Sequence, residues 1–405
     1  MTLLSRVPAL RWLAPFAVVA VLLGGTAAVR GISTAAARST DLPARTAAQL
    51  LADVSQARVD GMSGTIVQTA DLGIPALPTT GLGGSTSSEL SSMISGTHTL
   101  RVWYAGESMI RLSLLGTLGE SDIIRNGSDI WTWSSSANTA THRVLPAGAK
   151  GAAPQATDLP ATPQQLAEQA VKAIEPSTTV TVSSNAVVAG RPAYELVLTP
   201  KDSRSLVAGV RIAVDGTQHI PTRVQVMATG KADPAFEVAF TAIDFGQPDA
   251  AQFRFNPPPG VKVTESGKLG FPGSPTAGLN ELNGTGIPDV PTTRGIQGLT
   301  TEFSDQGPMG MKAGMGTKVV GSGWTSVVVT RLPLMALMGG YGNSSTGNTG
   351  ATLAKVVGAL PTISGSWGSG RVLAGTLFSV ILADDGRIAV GAVAPDLLGT
   401  ALAGK

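Results

Sequence analysis

The stretch from 97 to 145 consists of short runs in which apolar and polar residues alternate, separated by turn residues. Because successive side chains of a β-strand point to opposite faces, each run places one apolar row on one side of a sheet. Asn126-Gly127 separates two of the runs, and this dipeptide is a strong hairpin signal because both residues tolerate a positive φ. The stretch therefore predicts an antiparallel meander with one apolar face.

Similar alternating runs follow between 178 and 245, and they extend the apolar face of the predicted sheet. The intervening turns are expected at 185–190 and at 215–218, where small and polar residues cluster. A closing segment, 253–263, is expected to lie along one edge of the sheet. In total the sequence predicts about nine strands that each contribute one apolar row.

Two amphipathic helices are predicted to cover part of this face. The first spans 42–59, and Thr46 and Gln49 within it have the spacing of a capping box. The second begins at Thr162-Pro163, since proline is favoured in the first helical turn, and ends before Pro176. Two helices cover less area than nine apolar rows present, so the sequence predicts a further cover, which is a lid at 71–96, a bound lipid or the C-terminal unit.

The first 37 residues are interpreted as a targeting segment. Arg6 and Arg11 precede an uncharged apolar stretch, 12–29. A cleaved signal peptide and an uncleaved membrane anchor both fit this pattern, and either one places the rest of the chain outside the cytoplasm. The predicted location is therefore the extracytoplasmic side of the cell membrane or the exterior of the cell.

The remaining chain divides at a segment rich in Gly, Pro, Thr and Asn. We predict a sheet domain at 42–264, a linker at 265–300 and a smaller α+β unit at 301–405. Within the last unit, 317–330 is expected to be a strand with a bulge, a hairpin is expected across 384–386, and a helix is expected over 395–402.

The sequence lacks cysteine and the common catalytic motifs. The chain has no cysteine, which excludes disulfides, thiolate metal sites and a lipid-attachment cysteine. His98, His142 and His219 lack metal-ligand spacing and are expected at strand ends. Nucleophile-elbow, phosphate-loop and zinc-protease motifs are absent, and the net charge of +2 without a basic run argues against nucleic-acid binding. We therefore predict a protein that is not an enzyme and has no cofactor or metal.

The order of elements resembles the LolA/LolB lipoprotein-carrier superfamily, including its actinobacterial exported members and the N-terminal domain of RseB. The stretches that carry the resemblance are 63–69, 100–104, 127–133 and 253–263, and it covers 42–263. The resemblance implies a curved antiparallel sheet, an incomplete barrel wrapped over helices, whose concave apolar face holds acyl chains. RseB-like proteins also carry a second domain, as the C-terminal unit would be.

The resemblance and the uncovered apolar rows lead to one main functional expectation. The chain is expected to shelter a lipid or the acyl chains of a lipoprotein, and the alternative is an RseB-like regulator that binds a membrane-protein partner. A hydrolase acting on envelope material is the third and weakest possibility. The same aromatic and aliphatic residues also suit an ordinary core. The candidate ligand-binding residues are Leu100, Val102, Tyr104, Ile110, Leu112, Leu114, Trp131, Trp133, Tyr194 and Leu196.

Overall fold

The computed structural model describes residues 42–74, 96–116, 119–145, 163–265, 317–331 and 357–404. In these ranges the strands form two sheets. The first sheet contains β1 (Met62–Ala70), β2 (Gly96–Tyr104), β3 (Met109–Leu115), β4 (Glu120–Asn126), β5 (Asp129–Ser134), β6 (Thr139–Val144), β7 (Thr178–Val188), β8 (Arg191–Pro200), β9 (Val207–Asp215), β10 (Pro221–Ala228), β11 (Pro234–Asp244) and β12 (Lys262–Glu265).

The strand order of the first sheet is β12-β6-β5-β4-β3-β2-β1-β11-β10-β9-β8-β7. Its neighbours pair in antiparallel fashion, except that β12 runs parallel to β6. The meander β2–β6 and the meander β7–β11 meet where β1 pairs with β11. The edge strands β12 and β7 do not pair with each other, so the sheet stays open. The predicted class, an α+β fold with an incomplete antiparallel barrel and helices, is confirmed.

Helix α1 (Ala47–Gln56) begins with the predicted capping box. Thr46 Oγ1 accepts a hydrogen bond from Gln49 N at 3.1 Å, and Gln49 Oε1 accepts one from Thr46 N at 3.0 Å. These two bonds satisfy backbone donors that a helix start leaves unpaired. The helix is shorter than the predicted 42–59, because Ala57 already has an extended ψ of 135°. Helix α2 (Pro163–Ile174) packs against α1.

The turn predicted at 185–190 is placed differently in the structure. Strand β7 continues through this stretch with a bulge between Ser183 and Ala186. The chain reverses only at Ala189 and Gly190, whose φ values are 48° and 75°. Two consecutive residues with positive φ make the tight hairpin turn that matches the twist of a sheet. The small and polar residues before Ala189 therefore belong to a strand rather than to a loop.

The second sheet contains β13 (Lys318–Val320), β14 (Val327–Arg331), β15 (Thr362–Gly365), β16 (Gly368–Ala374), β17 (Ser379–Ala383) and β18 (Arg387–Gly391). Their order is β13-β14-β18-β17-β16-β15. Helix α3 (Pro395–Leu402) packs Leu398 on Val327, Ile381 and Ala389. The expected bulged strand at 317–330 is instead the β13–β14 hairpin, because Gly321 and Gly323 adopt positive φ and turn the chain. The expected C-terminal helix is present with its predicted bounds.

The two sheets contact each other through backbone and side-chain bonds. Leu206 N donates to Ala392 O at 2.8 Å, beside an isolated bridge between Ser205 and Val393. The indole Nε1 of Trp324 donates to Thr178 Oγ1 at 2.8 Å. The second sheet is therefore fastened near the β7–β9 edge of the first.

Several sequence predictions fall on residues outside the described ranges. These are the targeting segment 1–37, nearly all of the linker 265–300 and most of the expected lid 71–96. Within the described ranges, no helix has the length and apolar character needed to cross a membrane.

Candidate functional site

Strand pairing places one side of every strand in β1–β5 and β8–β11 on a common face. Residues directly opposite each other in an antiparallel pair point to the same side, so the register follows a face from strand to strand. This face begins where Leu50 and Val54 of α1 pack on Tyr194 and Leu196 of β8, and we call it the helix-side face. Its apolar members include Tyr194, Leu196, Ile212, Val224, Val238, Ile66, Leu100, Val102, Tyr104, Ile110, Leu112, Leu114, Ile123 and Ile130.

Eight of the ten residues proposed from the sequence lie on the helix-side face. Five of them are buried, and Tyr194 and Leu196 belong to the cluster beneath α1. The buried five are Leu100, Val102, Leu114, Tyr194 and Leu196. The other three, Tyr104, Ile110 and Leu112, are half-buried.

The remaining two candidates, Trp131 and Trp133, point to the opposite side of the sheet. Trp131 lies across from Ile124, and Trp133 lies across from Asp122, whereas Ile123 lies across from Thr132. Ile123 shares the helix-side face with Leu112, so Asp122 and Ile124, the residues before and after it on β4, point to the opposite side of the sheet. We call the side that carries Trp131, Trp133 and Trp103 the tryptophan face. The structure does not bring these tryptophans together with the other eight candidates.

The chain covers the β3–β6 part of the tryptophan face itself. Phe253 is 1% exposed in a short 3-10 helix, Ala250–Phe253, that packs on β3 and β4. The ring of Phe255 lies 5.2 Å from Trp131 and 6.0 Å from Trp133 between centroids. The closing segment was expected along one edge. It ends in β12 at that edge and, before β12, packs over part of this side of the sheet.

A histidine joins this covering segment to the sheet. His142 stacks on Trp131 with 4.2 Å between ring centroids. Its Nδ1 lies 2.9 Å from Glu265 Oε2 on β12, and its Nε2 lies 2.8 Å from Asp129 Oδ1 on β5. Burial alone would lower the pKa of His142, but the hydrogen bonds to Asp129 and Glu265 outweigh it and raise the pKa above the ordinary value. This histidine holds an edge strand rather than lying free at a strand end.

The tryptophan face also contains a buried ion pair. Asp122 is 1% exposed and accepts a hydrogen bond from Arg111 Nη2 at 2.6 Å. Arg111 lies over the ring of Trp103, 5.3 Å from its centroid. Burial raises the pKa of Asp122 above its usual value, although bonds from Ser113 and Arg111 oppose the rise. The pair is packed into the sheet and acts as structure.

The helix-side face is covered unevenly by the described residues. Helix α1 lies over β8 and β9, where Tyr194 is 1% exposed. Across β2–β5 the face carries five neighbouring apolar side chains that are only half-buried, which we call the apolar patch: Tyr104, Ile110, Leu112, Ile123 and Ile130. Arg125 lies between Ile110 and Ile130. Burial raises the pKa of the Tyr104 hydroxyl, helped by the nearby Glu107 carboxylate.

Sequence reasoning missed Ile123 and Ile130 as members of the patch. Only the strand register identifies the face on which they lie. Ile123 and Ile124 are both apolar, so local alternation cannot show which of the two faces α1. It also missed Gln68, a buried polar residue in the middle of β1 on the same face.

The described residues contain no cluster of histidine, aspartate and glutamate that could hold a metal ion. A polar cleft of about 280 Å³ lies beside the end of α1, lined by Asp53, Gln56, Ala57, Arg58, Thr217, Gln218 and His219. Its lining is unsuited to an acyl chain and is separate from the apolar patch. The apolar patch is therefore the candidate functional site.

No protein-family model matches the sequence, and no curated protein matches it. Among solved structures, the chain is similar to the MucA/MucB complex of Pseudomonas aeruginosa, with 15% identity, a TM-score of 0.35, and coverage of 88% of this chain and 94% of that chain. MucB alone gives 15% identity, a TM-score of 0.36, and coverage of 88% and 95%. A LolA superfamily protein from Nitrosomonas europaea matches 52% of this chain and 99% of its own, with 11% identity and a TM-score of 0.20. At these identities a likeness concerns the fold alone, and no residue role is carried over from these proteins.

Proposed function

We propose that this chain is a binding protein without enzymatic activity, located outside the cytoplasm, that shelters the acyl chain of a lipid or lipoprotein on its helix-side face. The single observation that carries the proposal is the apolar patch. Five large apolar side chains lie near one another across four strands, and all five are half-buried rather than fully buried.

Leaving such a surface in water costs free energy. Burying apolar area gains about 25 cal/mol per Å², so a contiguous patch favours an apolar occupant. Leu112 and Ile123 lie directly opposite each other at the centre of the patch. Buried residues such as Leu100 and Leu114 continue the same surface inward, so an acyl chain would meet apolar side chains along its length.

Chemistry on the helix-side face supports binding rather than turnover. Among the described residues, the carboxylate whose pKa is raised by burial is Asp122, and it lies on the tryptophan face. A hydrolase needs a nucleophile or a paired acid and base within hydrogen-bond reach of the substrate. The patch consists mainly of aliphatic side chains. The polar groups beside them are the Tyr104 hydroxyl and the Arg125 guanidinium.

The proposal is tested by a charge placed on either side of one strand. Leu112→Asp puts a carboxylate into the patch, whereas Leu115→Asp makes the same change on the same strand but on the tryptophan face, and both residues are half-buried. We expect Leu112→Asp to weaken binding of a fluorescent fatty acid at least tenfold, because a carboxylate is costly to bury in an apolar site. Leu115→Asp should keep wild-type affinity. Equal affinity in both variants, with circular dichroism showing both folded, would refute the proposal.

A second candidate function is regulation through a membrane-protein partner. MucB is described in a complex with MucA. The observation in this chain that favours the candidate is the junction of the two sheets, where Leu377 and Phe378, in the turn between β16 and β17, pack against the cluster that contains Leu72. A partner that binds beside this turn would lie next to the residues that follow β1.

The two candidates predict different results from one purification. Copurified acyl lipid without a protein partner supports the carrier function. Capture of a single-pass membrane protein that is lost on Phe378→Ala, but not on Phe255→Ala, supports the regulatory function.

A further inference from the structure

Gln68 is the most unusual residue on the helix-side face. It lies in β1 and is 0% exposed. Neither its Nε2 nor its Oε1 has a hydrogen-bond partner among the residues that the structure describes. A buried amide without hydrogen bonds destabilises a fold, so native proteins nearly always supply such a group with a partner. The amide therefore lacks a partner that the described part of the chain could provide.

The surroundings of Gln68 are almost entirely apolar. Ile66 and Ala70 flank it along β1 on the same side, and both are buried. Val238 lies across from it on β11 and His98 lies across from it on β2, and neither gives the amide a hydrogen bond. The amide is thus a buried polar group among apolar side chains, with His98 as the polar residue opposite it.

Register connects this polar point with the apolar patch. Gly64, four residues before Gln68 on β1, lies opposite Val102, and Val102 lies opposite Leu112. With strands about 4.8 Å apart and a rise of about 3.3 Å per residue, Gln68 and Leu112 are separated by roughly 16 Å along the face. Ile66, Leu100 and Leu114 fill the space between them with apolar surface. A single long acyl chain can span this interval.

We propose that Gln68 is the polar anchor of the binding site and that the ligand is an acyl lipid whose ester or amide linkage binds to its side-chain amide. The inference rests on the proposed function. Nε2–H donates to the carbonyl oxygen of the linkage, and Oε1 accepts from a neighbouring hydroxyl or N–H of the lipid. The chain then runs from Gln68 toward Leu112. The site distinguishes acyl esters and amides from ethers and bare hydrocarbons, because only the former present the carbonyl acceptor.

The test compares two glycerolipids that differ in one group. 1-Monopalmitoylglycerol has an ester carbonyl, and 1-O-hexadecylglycerol has an ether in its place with the same chain length and hydroxyls. Displacement of a bound fluorescent fatty acid from the purified protein measures both affinities. The wild-type protein is expected to prefer the ester by about tenfold, since the ether leaves the buried donor unpaired. Gln68→Leu should bind both lipids equally and bind the ether at least as well as the wild type does.

The matched control is Gln225→Leu. Gln225 is a half-buried glutamine on β10 that points away from the helix-side face, between Arg211 and Glu237. The Gln225→Leu variant should keep the wild-type preference for the ester. Gln68→Met, which keeps the length of the side chain without donors or acceptors, repeats the test should the leucine variant fold poorly.

The outcomes separate this inference from the proposed function. A wild-type protein that binds neither glycerolipid refutes the proposed function and the anchor together. A wild-type protein that binds both lipids equally, or a Gln68→Met variant that keeps the ester preference, overturns the anchor while acyl binding stands. If both Gln68 variants unfold without ligand, the amide stabilises the chain itself and the anchor is wrong.

Discussion

Leu112 on β3 lies directly opposite Ile123 on β4, and both side chains are half-buried on the helix-side face. The next residue, Ile124, is 0% exposed and packs on the tryptophan face. One step along a strand thus separates a candidate ligand surface from the closed core. This relationship governs which substitutions should change binding and which should change stability.

The pair Ile123 and Ile124 offers the sharpest separation of these effects. Ile124→Ser should destabilise the fold by about 4 kcal/mol, because it removes a fully buried side chain and leaves a cavity with a polar group. Ile123→Ser should cost less than about 1.5 kcal/mol and weaken acyl binding several-fold. Urea unfolding and fluorescent fatty-acid binding measure the two quantities. The reverse pattern would place the ligand surface on the tryptophan face.

The covering of the tryptophan face predicts a second result. Phe255→Ala should expose Trp131 and Trp133 to water, so the tryptophan emission should shift to longer wavelength and stability should fall by about 2 kcal/mol. Acyl binding should be unchanged, because this face lies opposite the apolar patch. A fluorescence emission spectrum and a binding titration check both statements, and a large loss of affinity would show that the tryptophans contact the ligand.

An ion pair with a buried carboxylate predicts a large stability effect far from the patch. Arg191 Nε donates to Asp215 Oδ2 at 2.5 Å, and Asp215 also accepts from the backbone N of Thr217 and Gln218. Burial would raise the pKa of Asp215, but these hydrogen bonds outweigh it and lower the pKa below the usual value. Asp215→Asn should cost about 3 kcal/mol, because it leaves Arg191 without its charged partner.

The control for Asp215→Asn is Asp71→Asn, which breaks an exposed pair with Lys231. Its cost should stay under about 1 kcal/mol, since water screens exposed charges. Chemical denaturation measures both variants. Because the pKa of Asp215 is lowered in the folded protein, this carboxylate stabilises the fold above its unfolded-state pKa. That stabilisation is lost as the pH falls through the folded-state pKa. An Asp215→Asn variant should therefore lose less stability on acidification than the wild type.

The pH dependence at His142 has the opposite sign. Its pKa is raised in the folded protein, so the protonated form stabilises the structure. The contribution is fully present below the unfolded-state pKa of about 6.5 and is lost as the pH rises through the folded-state value. Amide exchange of 262–265 should accelerate over that interval, because His142 bonds β12 through Glu265. Glu265→Gln should flatten the dependence, and an NMR titration giving a pKa below 6.5 would contradict this account.

Much of the fold could be predicted because its signals are local. Thr46 and Gln49 specify a helix start through their spacing, and Asn126-Gly127 specifies a hairpin, so both were found. The prediction of a bulged strand at 317–330 was wrong because a glycine pair can either bend a strand or reverse it. The structure shows that Gly321 and Gly323 reverse it.

The site was harder to predict because it depends on pairing between distant segments. Local alternation shows that Trp131 and Trp133 share a side, but not which side of the sheet faces α1. The pairing of β5 with β4 determines which side the tryptophans face. Phe255, which lies more than 100 residues later in the chain, then packs on that side. Large aromatic residues suit either a core or a cavity, so residue type alone could not exclude them.

The central claim is tested most directly by locating an acyl chain on the protein. Crystals grown with a fatty acid that carries bromine near the end of its chain would reveal the bromine by anomalous scattering. We expect the signal on the helix-side face, beside Leu112 and Ile123. A signal beside Trp131 and Trp133, or an ordered protein without bound fatty acid at saturating concentration, would contradict the claim that this face shelters acyl chains.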